Sequence, residues 1–102
     1  MKELKDVVVF GKGGSMSEPH GVVLLLLDQG MHQSPLLDSL LIDTPYRRQG
    51  LATALINEAE EYCLDHDYKR IFAVTSPENE PAKALMKSCG FSPMILWEKK
   101  LP

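Results

Sequence analysis

The chain has 102 residues, 11 of them Lys or Arg and 14 Asp or Glu, for a formal charge of −3 with the three His neutral. At 44% apolar and 25% charged it has the composition of an ordinary globular protein, and its length supports one domain. A mildly acidic chain with no basic block is a poor nucleic-acid binder, and its longest apolar run, Val22 to Leu27, is six residues, far short of the ~20 that span a bilayer.

The start, Met1 to Asp6, lacks the apolar region of a signal peptide. Two cysteines, Cys63 and Cys89, are too few for a disulfide framework or a four-ligand zinc site. The expectation is a cytoplasmic protein with reduced thiols, no metal site and no membrane or nucleic-acid partner. Cys63 packs as a small hydrophobe.

The first half of the chain has strand character. Lys5 to Phe10 is short and rich in Val, and Gly11-Lys12-Gly13-Gly14-Ser15 breaks it. Gly21 to Asp28 is a continuous apolar run suited to a strand buried on both faces, ended by Gln29-Gly30. A third run, Leu36 to Asp43, follows Pro35. Short loops containing Gly make these antiparallel neighbours. The second half changes period. Leu51, Leu55, Ile56, Ala59, Tyr62 and Cys63 share one helical face and Glu58, Glu60, Glu61 and Asp65 take the other, which predicts a helix from about Leu51 to His66. Arg70 to Thr75 is the next strand. Asn79 as N-cap, Pro81 in the first turn and Gly90 as left-handed C-cap bound a second helix, about Glu80 to Cys89. A last strand is expected over Met94 to Lys100. The order β-β-β-α-β-α-β predicts an α/β domain on a mixed, mostly antiparallel sheet of five or six strands with two packed helices.

The segment Leu41-Ile42-Asp43-Thr44-Pro45-Tyr46-Arg47-Arg48-Gln49-Gly50-Leu51-Ala52-Thr53 joins the third strand to the long helix. A helix N-terminus carries unpaired N–H groups and roughly half a positive charge. Arg47 and Arg48 add two full charges, Gly50 admits close backbone approach, and Ala52 keeps the first turn free of bulk. Such a segment is either an anion site suited to a diphosphate or a plain strand–helix turn with solvated arginines. It is neither a P-loop nor a dinucleotide fingerprint, and Gly11-Lys12-Gly13-Gly14 reads as a hairpin loop.

Arg47-Arg48-Gln49-Gly50-Leu51-Ala52 resembles the acyl-CoA signature Gln/Arg-x-x-Gly-x-Gly/Ala of the GNAT superfamily of N-acetyltransferases. Ile42 to Tyr46 is similar to the family's strand end, with Thr44 in place of the usual proline and Pro45 one position later. Asn79-x-x-Ala82-x-x-Leu85-Met86-x-x-x-Gly90-Phe91 is similar to a second family motif, Asn-x-x-Ala-x-x-Leu-Tyr-x-x-x-Gly-Phe. The resemblance covers about Gly21 to Lys100.

It implies a single acetyl-CoA-binding domain over residues 1–102, in which the third and fourth strands splay apart. The pantetheine arm would enter the gap and pair with the backbone at Leu41 and Ile42. The diphosphate would rest on the segment Arg47, Arg48, Gln49, Gly50, Leu51, Ala52 and Thr53, and Asn79 would flank the thioester arm. The family often has a carboxylate where Asp38 stands, acting as general base; His20 and His32 are loop histidines that could serve instead.

Two departures stand out. Met86 occupies the position of the tyrosine that often protonates the leaving thiolate, with Ser88 and Cys89 as neighbouring substitutes. The ten residues from Gly11 to His20, with three Gly and one Pro, cannot hold the helices that family members carry between the first two strands. The resemblance thus implies transfer of an acetyl group from acetyl-CoA to an amine, on a protein, a peptide or a small molecule, by direct attack in a ternary complex. The alternative is a catalytically weak acetyl-CoA-binding module that regulates a partner protein. A second subunit shielding Val22 to Leu27 would make the chain a homodimer.

Overall fold

The computed structural model describes residues 1–15, 18–42, 50–95 and 97–102. The elements are β1 (Lys2–Leu4), β2 (Val7–Lys12), β3 (Gly21–Leu26), a 3-10 turn (Met31–Gln33), β4 (Leu36–Ile42), α1 (Leu51–Asp65), β5 (Phe72–Ala73) and α2 (Glu80–Ser88). The strands form one mixed sheet in the order β1-β2-β3-β4-β5. The first four are antiparallel neighbours, and β4 and β5 are parallel, as a connection through α1 requires.

Local chemistry sets the turns. Leu4 pairs with Val7, so β1 and β2 are joined by two residues, and Asp6 takes the left-handed conformation (φ 62°) that Asp tolerates. The β2–β3 hairpin closes where the His20 N–H donates to the Lys12 carbonyl at 3.0 Å. Gly13 turns there with φ 73°, and a Cβ would meet the His20 ring at 2.7 Å, so a side chain there would be strained and would displace His20. The hairpin fills the link between β2 and β3, and the described residues of that link contain no helix.

Alternation along the strands divides the sheet into two faces. Val8, Phe10, Val23, Leu25 and Leu37 point to one side and are buried against Leu55, Ile56, Ala59 and Cys63 of α1. Leu85 and Met86 of α2 pack on the same cluster. Both helices therefore lie on this inner face. Fully burying a Leu contributes about 1.5–3 kcal/mol, and Leu25 and Leu55 are both wholly inaccessible. Lys12, at the inner edge of β2, pairs with Glu58 of α1 at 3.2 Å. The intervening residues Val7, Val9, Val22, Leu24 and Leu26 face the other side, where they are only half-buried.

The helix ends follow their sequence signals. Asn79 Oδ1 accepts from the Ala82 N–H at 3.1 Å, Pro81 lies in the first turn, and Gly90 (φ 89°) closes α2 while the Phe91 N–H donates to the Met86 carbonyl at 3.0 Å. α1 covers Leu51 to Asp65, within one residue of the predicted span. No helix among the described residues is long and apolar enough to cross a membrane.

Three expectations need correction. The first strand begins at Val7, and Lys2–Leu4 forms an additional edge strand whose polar composition gave no signal. The run Arg70 to Thr75 contributes only Phe72–Ala73. No strand forms among the described residues of Met94 to Lys100: β5 ends at Ala73 and offers too short an edge for a ladder, so Ile95 is 80% and Trp97 87% exposed.

Candidate active site

The site is built by a strand pair that starts together and separates. β4 and β5 pair at Leu36–Phe72 and Leu37–Ala73, after which β5 stops and β4 continues to Ile42. Among the described residues, the β4 edge beyond Leu37 thus has no strand beside it on that side. An irregularity in β4 coincides with this opening. Val22 pairs with Leu41 but Leu24 pairs with Asp38, so two residues, 39 and 40, oppose Val23. A bulge of this kind bends the strand and changes which residues face each side. Leu37, Leu40 and Ile42 pack with the core, whereas Asp38 and Leu41 are exposed on the outer side.

Two adjoining cavities occupy the opening. The larger, about 580 Å³, is lined by Leu40, Leu41 and Ile42 of β4, by Gly50, Leu51, Ala52 and Thr53 at the start of α1, and by Asn79, Pro81, Ala82 and Leu85 of α2. The smaller, about 240 Å³, is lined among others by Asp38, Thr75, Ser76, Asn79 and Met86. Leu40, Asn79, Ala82 and Leu85 line both, so they form the junction.

The starts of both helices border the larger cavity, and they differ. α1 is capped by Gly50 at φ 74°, with no side-chain cap and no acidic residue in its first turn. Its first intrahelical bond is from the Ala54 N–H to the Gly50 carbonyl at 3.0 Å, which leaves the N–H groups of Leu51, Ala52 and Thr53 without helical acceptors. A Cβ on Gly50 would meet nothing within 4 Å. Among the described residues nothing caps this start, and it is electropositive. α2, by contrast, is capped by Asn79 and carries Glu80 in its first turn. Because the Asn79 carbonyl oxygen accepts the capping bond, its Nδ2 retains both donors for a ligand at the junction.

Of the residues expected to hold a cofactor, Leu41, Ile42, Gly50, Leu51, Ala52, Thr53 and Asn79 come together around the larger cavity. Arg47, Arg48 and Gln49, with Thr44 to Tyr46, lie outside the described residues. Asp38 lines the smaller cavity, whereas His20 and His32 line neither. Met86 also lines the smaller cavity. Ser88 and Cys89 do not, and the Ser88 hydroxyl donates to the Leu85 carbonyl at 2.8 Å, which removes both as substitutes for the missing tyrosine.

Thr75 and Ser76 were not singled out by sequence; their position one turn ahead of the Asn79 cap was the available signal. Ser76 Oγ donates to Glu78 at 3.1 Å. Cys63 is buried, and burial, with Glu60 nearby, pushes its thiol up to about 11. Burial also raises Tyr62, whose ring stacks on His66 at 3.9 Å and meets Phe10 edge-on at 5.9 Å. Both are packing residues.

The model of the acetyltransferase (GNAT) family matches residues 9–91. Solved structures similar to this chain include a transcriptional regulator from Bacillus halodurans C-125, with TM-score 0.80 and 16% identity over 97% of this chain and 68% of that one. A probable acetyltransferase gives TM-score 0.76 and 21% identity over 96% of this chain and 68% of that one. The enzyme AAC(6')-Iy, in complex with the bisubstrate analogue CoA-S-monomethyl-acetylneamine, gives 0.75 and 16% over 96% and 72%. At these identities the structures establish a shared fold. No curated protein sequence matches the chain.

Proposed function

The chain belongs to the acetyltransferase (GNAT) family, and on that premise we propose that it transfers an acetyl group from acetyl-CoA to an amine by direct attack in a ternary complex. The observation that carries the reading is the cleft itself. A strand edge with no strand beside it among the described residues, a helix start with no side-chain cap and a donor-bearing Asn79 surround one cavity of about 580 Å³ that adjoins a second bordered by Asp38.

In this reading the backbone of Leu41 and Ile42 hydrogen-bonds the pantetheine arm as an added strand would. The N–H groups of Leu51, Ala52 and Thr53 hold the diphosphate, aided by Arg47, Arg48 and Gln49. Asn79 Nδ2 donates near the thioester end. Asp38 accepts a proton from the protonated amine, whose lone pair then attacks the thioester carbonyl carbon. Backbone donors near Ile42 stabilise the oxygen as charge develops on it. The C–S bond breaks, the electron pair leaves on sulfur, and the proton released by the new amide nitrogen neutralises the thiolate. Met86 contributes no proton. Ser76 is engaged by Glu78, so Thr75 is the hydroxyl left to line the acceptor side.

The acceptor class follows from charge. Among the described residues Asp38 is the one ionisable group lining the smaller cavity, which suits a cationic amine on a small molecule or on a protein or peptide side chain. The test is a screen of amines with acetyl-CoA and thiol detection. Release of CoA above the rate without acceptor, for at least one amine, is expected. A chain that binds acetyl-CoA but releases no CoA with any amine refutes the activity, and one that does not bind acetyl-CoA refutes the whole reading.

A further inference from the structure

The smaller cavity differs at its two ends. Val23 of β3, Leu37 of β4 and Ile56 of α1 line it and are buried members of the core, and Leu40, Leu85 and Met86 line it half-buried beside them. Ala73 is half-buried next to Leu37, its partner in the β4–β5 ladder. Asp38, Ser76 and Asn79 are exposed and Thr75 is half-buried. Burial therefore sorts the lining by chemistry, into an apolar base between α1 and the sheet and a mouth bordered by polar side chains. Val74 is the one exposed apolar residue of the described lining. The side chains of the base carry no charge and, beyond the Met86 thioether, no polar atom. A charge moved into such a base loses its hydration and finds no partner. A cavity of about 150 Å³ holds a benzene ring, so one of about 240 Å³ holds roughly ten heavy atoms at most.

We propose that this cavity takes a small primary amine with a compact apolar body of roughly four to eight carbons, seated body-inward with its amine at the polar mouth. On the acetyl-transfer reading, on which this identity of the head group rests, the amine then lies beside Asn79, which belongs to both cavities. Such a seating narrows the acceptor. A lysine side chain is tethered at the end of its stem opposite the amine, so with the amine at the mouth the stem points to solvent and buries nothing in the base. A polyhydroxylated amine would carry its hydroxyls into a base that offers them no partner. A simple alkylamine meets both demands, with its head solvated at the mouth and its chain in contact with Val23, Leu37 and Ile56. Met86 has a use here that a tyrosine would not serve: its unbranched, adaptable side chain extends the apolar base.

Calorimetric titration of the full chain, in the presence of CoA, with propylamine, butylamine, pentylamine and hexylamine reads the cavity without turnover. The same amines with acetyl-CoA and thiol detection read transfer. Burial of each added methylene is expected to raise both affinity and kcat/KM roughly three- to fourfold. Nα-acetyl-lysine amide and glucosamine are expected at least about tenfold below hexylamine. Ala73→Leu narrows the base and should move the optimum to shorter amines, whereas Met86→Ala widens it and should move the optimum to longer ones. Circular dichroism and CoA affinity report that each variant is folded, and if Ala73→Leu is not, Met86→Ala and the parent series decide. A flat series, or lysine amide equal to hexylamine, overturns the proposal and leaves acetyl transfer standing. An optimum unmoved in the folded variants overturns it as well. A rise in affinity along the series without release of CoA from any amine supports the cavity's selectivity and overturns the transfer reading alone.

Discussion

Gly50 separates what the start of α1 does for folding from what it does for binding. Its φ of 74° is left-handed, and a Cβ added there meets nothing within 4 Å, so substitution costs backbone strain without a clash. That strain is about 1–2 kcal/mol for Ala or Glu and less for Asn, which tolerates the conformation. In a domain of this length each kcal/mol lowers Tm by roughly 4–8 °C. Binding responds to a different property. Gly50→Glu adds a negative charge beside the N–H groups of Leu51 to Thr53. At ~5 Å from a doubly charged diphosphate and an effective dielectric of ~20, the gross repulsion is roughly 6 kcal/mol. Solvent and the flexible glutamate stem reduce it several-fold, leaving a ten- to hundredfold loss of affinity. Gly50→Ala and Gly50→Glu should therefore melt at similar temperatures yet differ in CoA affinity by at least tenfold, with Gly50→Asn close to the parent in both. Calorimetric titration with CoA, paired with thermal melts, reads both quantities. Equal affinities for the Ala and Glu variants would refute an anion site at this helix start.

Asp38→Asn should leave CoA affinity unchanged and lower turnover by about 10²- to 10⁴-fold; unchanged turnover removes Asp38 as base. Met86→Tyr restores a hydroxyl to the smaller cavity and should raise kcat without moving the KM for acetyl-CoA, whereas unchanged turnover would mean that thiolate departure does not limit the rate. Because burial lifts Cys63 from its ordinary value of about 9 to about 11, folding favours the neutral thiol. Its contribution to stability is complete below pH 9 and falls away as pH rises toward 11, so chemical unfolding should show a loss of stability over that window that is smaller in Cys63→Ala, where the raised Tyr62 still contributes. The same burial should make Cys63 unreactive to thiol reagents at pH 8 until the chain unfolds.

How far the sequence spoke depended on whether a signal was local. Both helices were legible because their apolar faces and caps are written within one or two turns, down to Asn79 and Gly90. The inner and outer sets of β2 and β3 were not: Val7 to Phe10 and Val22 to Leu26 are apolar on both sides, so a run that looked doubly buried is buried on one face only. The cause lies elsewhere in the chain, in a β2–β3 link too short and glycine-rich to bring a helix across the sheet. Met94 to Lys100 failed for a related reason. Its residues have strand propensity, but a strand needs an edge, and the two residues of β5 do not supply one. At the site, Asn79 and the start of α1 were found from motif spacing, whereas Thr75 and Ser76 became visible only once the separation of β4 and β5 opened a cavity in front of them.

The bulge in β4 ties these features together. With strict alternation from Leu37, residue 41 would face the helices and Ile42 the bare side. The extra residue opposite Val23 reverses that parity, so Leu40 and Ile42 turn inward while Asp38 and Leu41 remain outward. One strand can then do two jobs. Its inward residues complete the core and line the larger cavity beside both helix starts, and the exposed Asp38 borders the smaller cavity. The two cavities meet at Leu40, Asn79, Ala82 and Leu85, so a donor in one and an acceptor in the other would lie side by side, the proximity that direct transfer demands. Asp38 belongs to the same cross-strand row as Lys2, Val9 and Leu24, so on the proposed reading the residue that receives the amine's proton stands at the margin between the cleft and the bare face of the sheet.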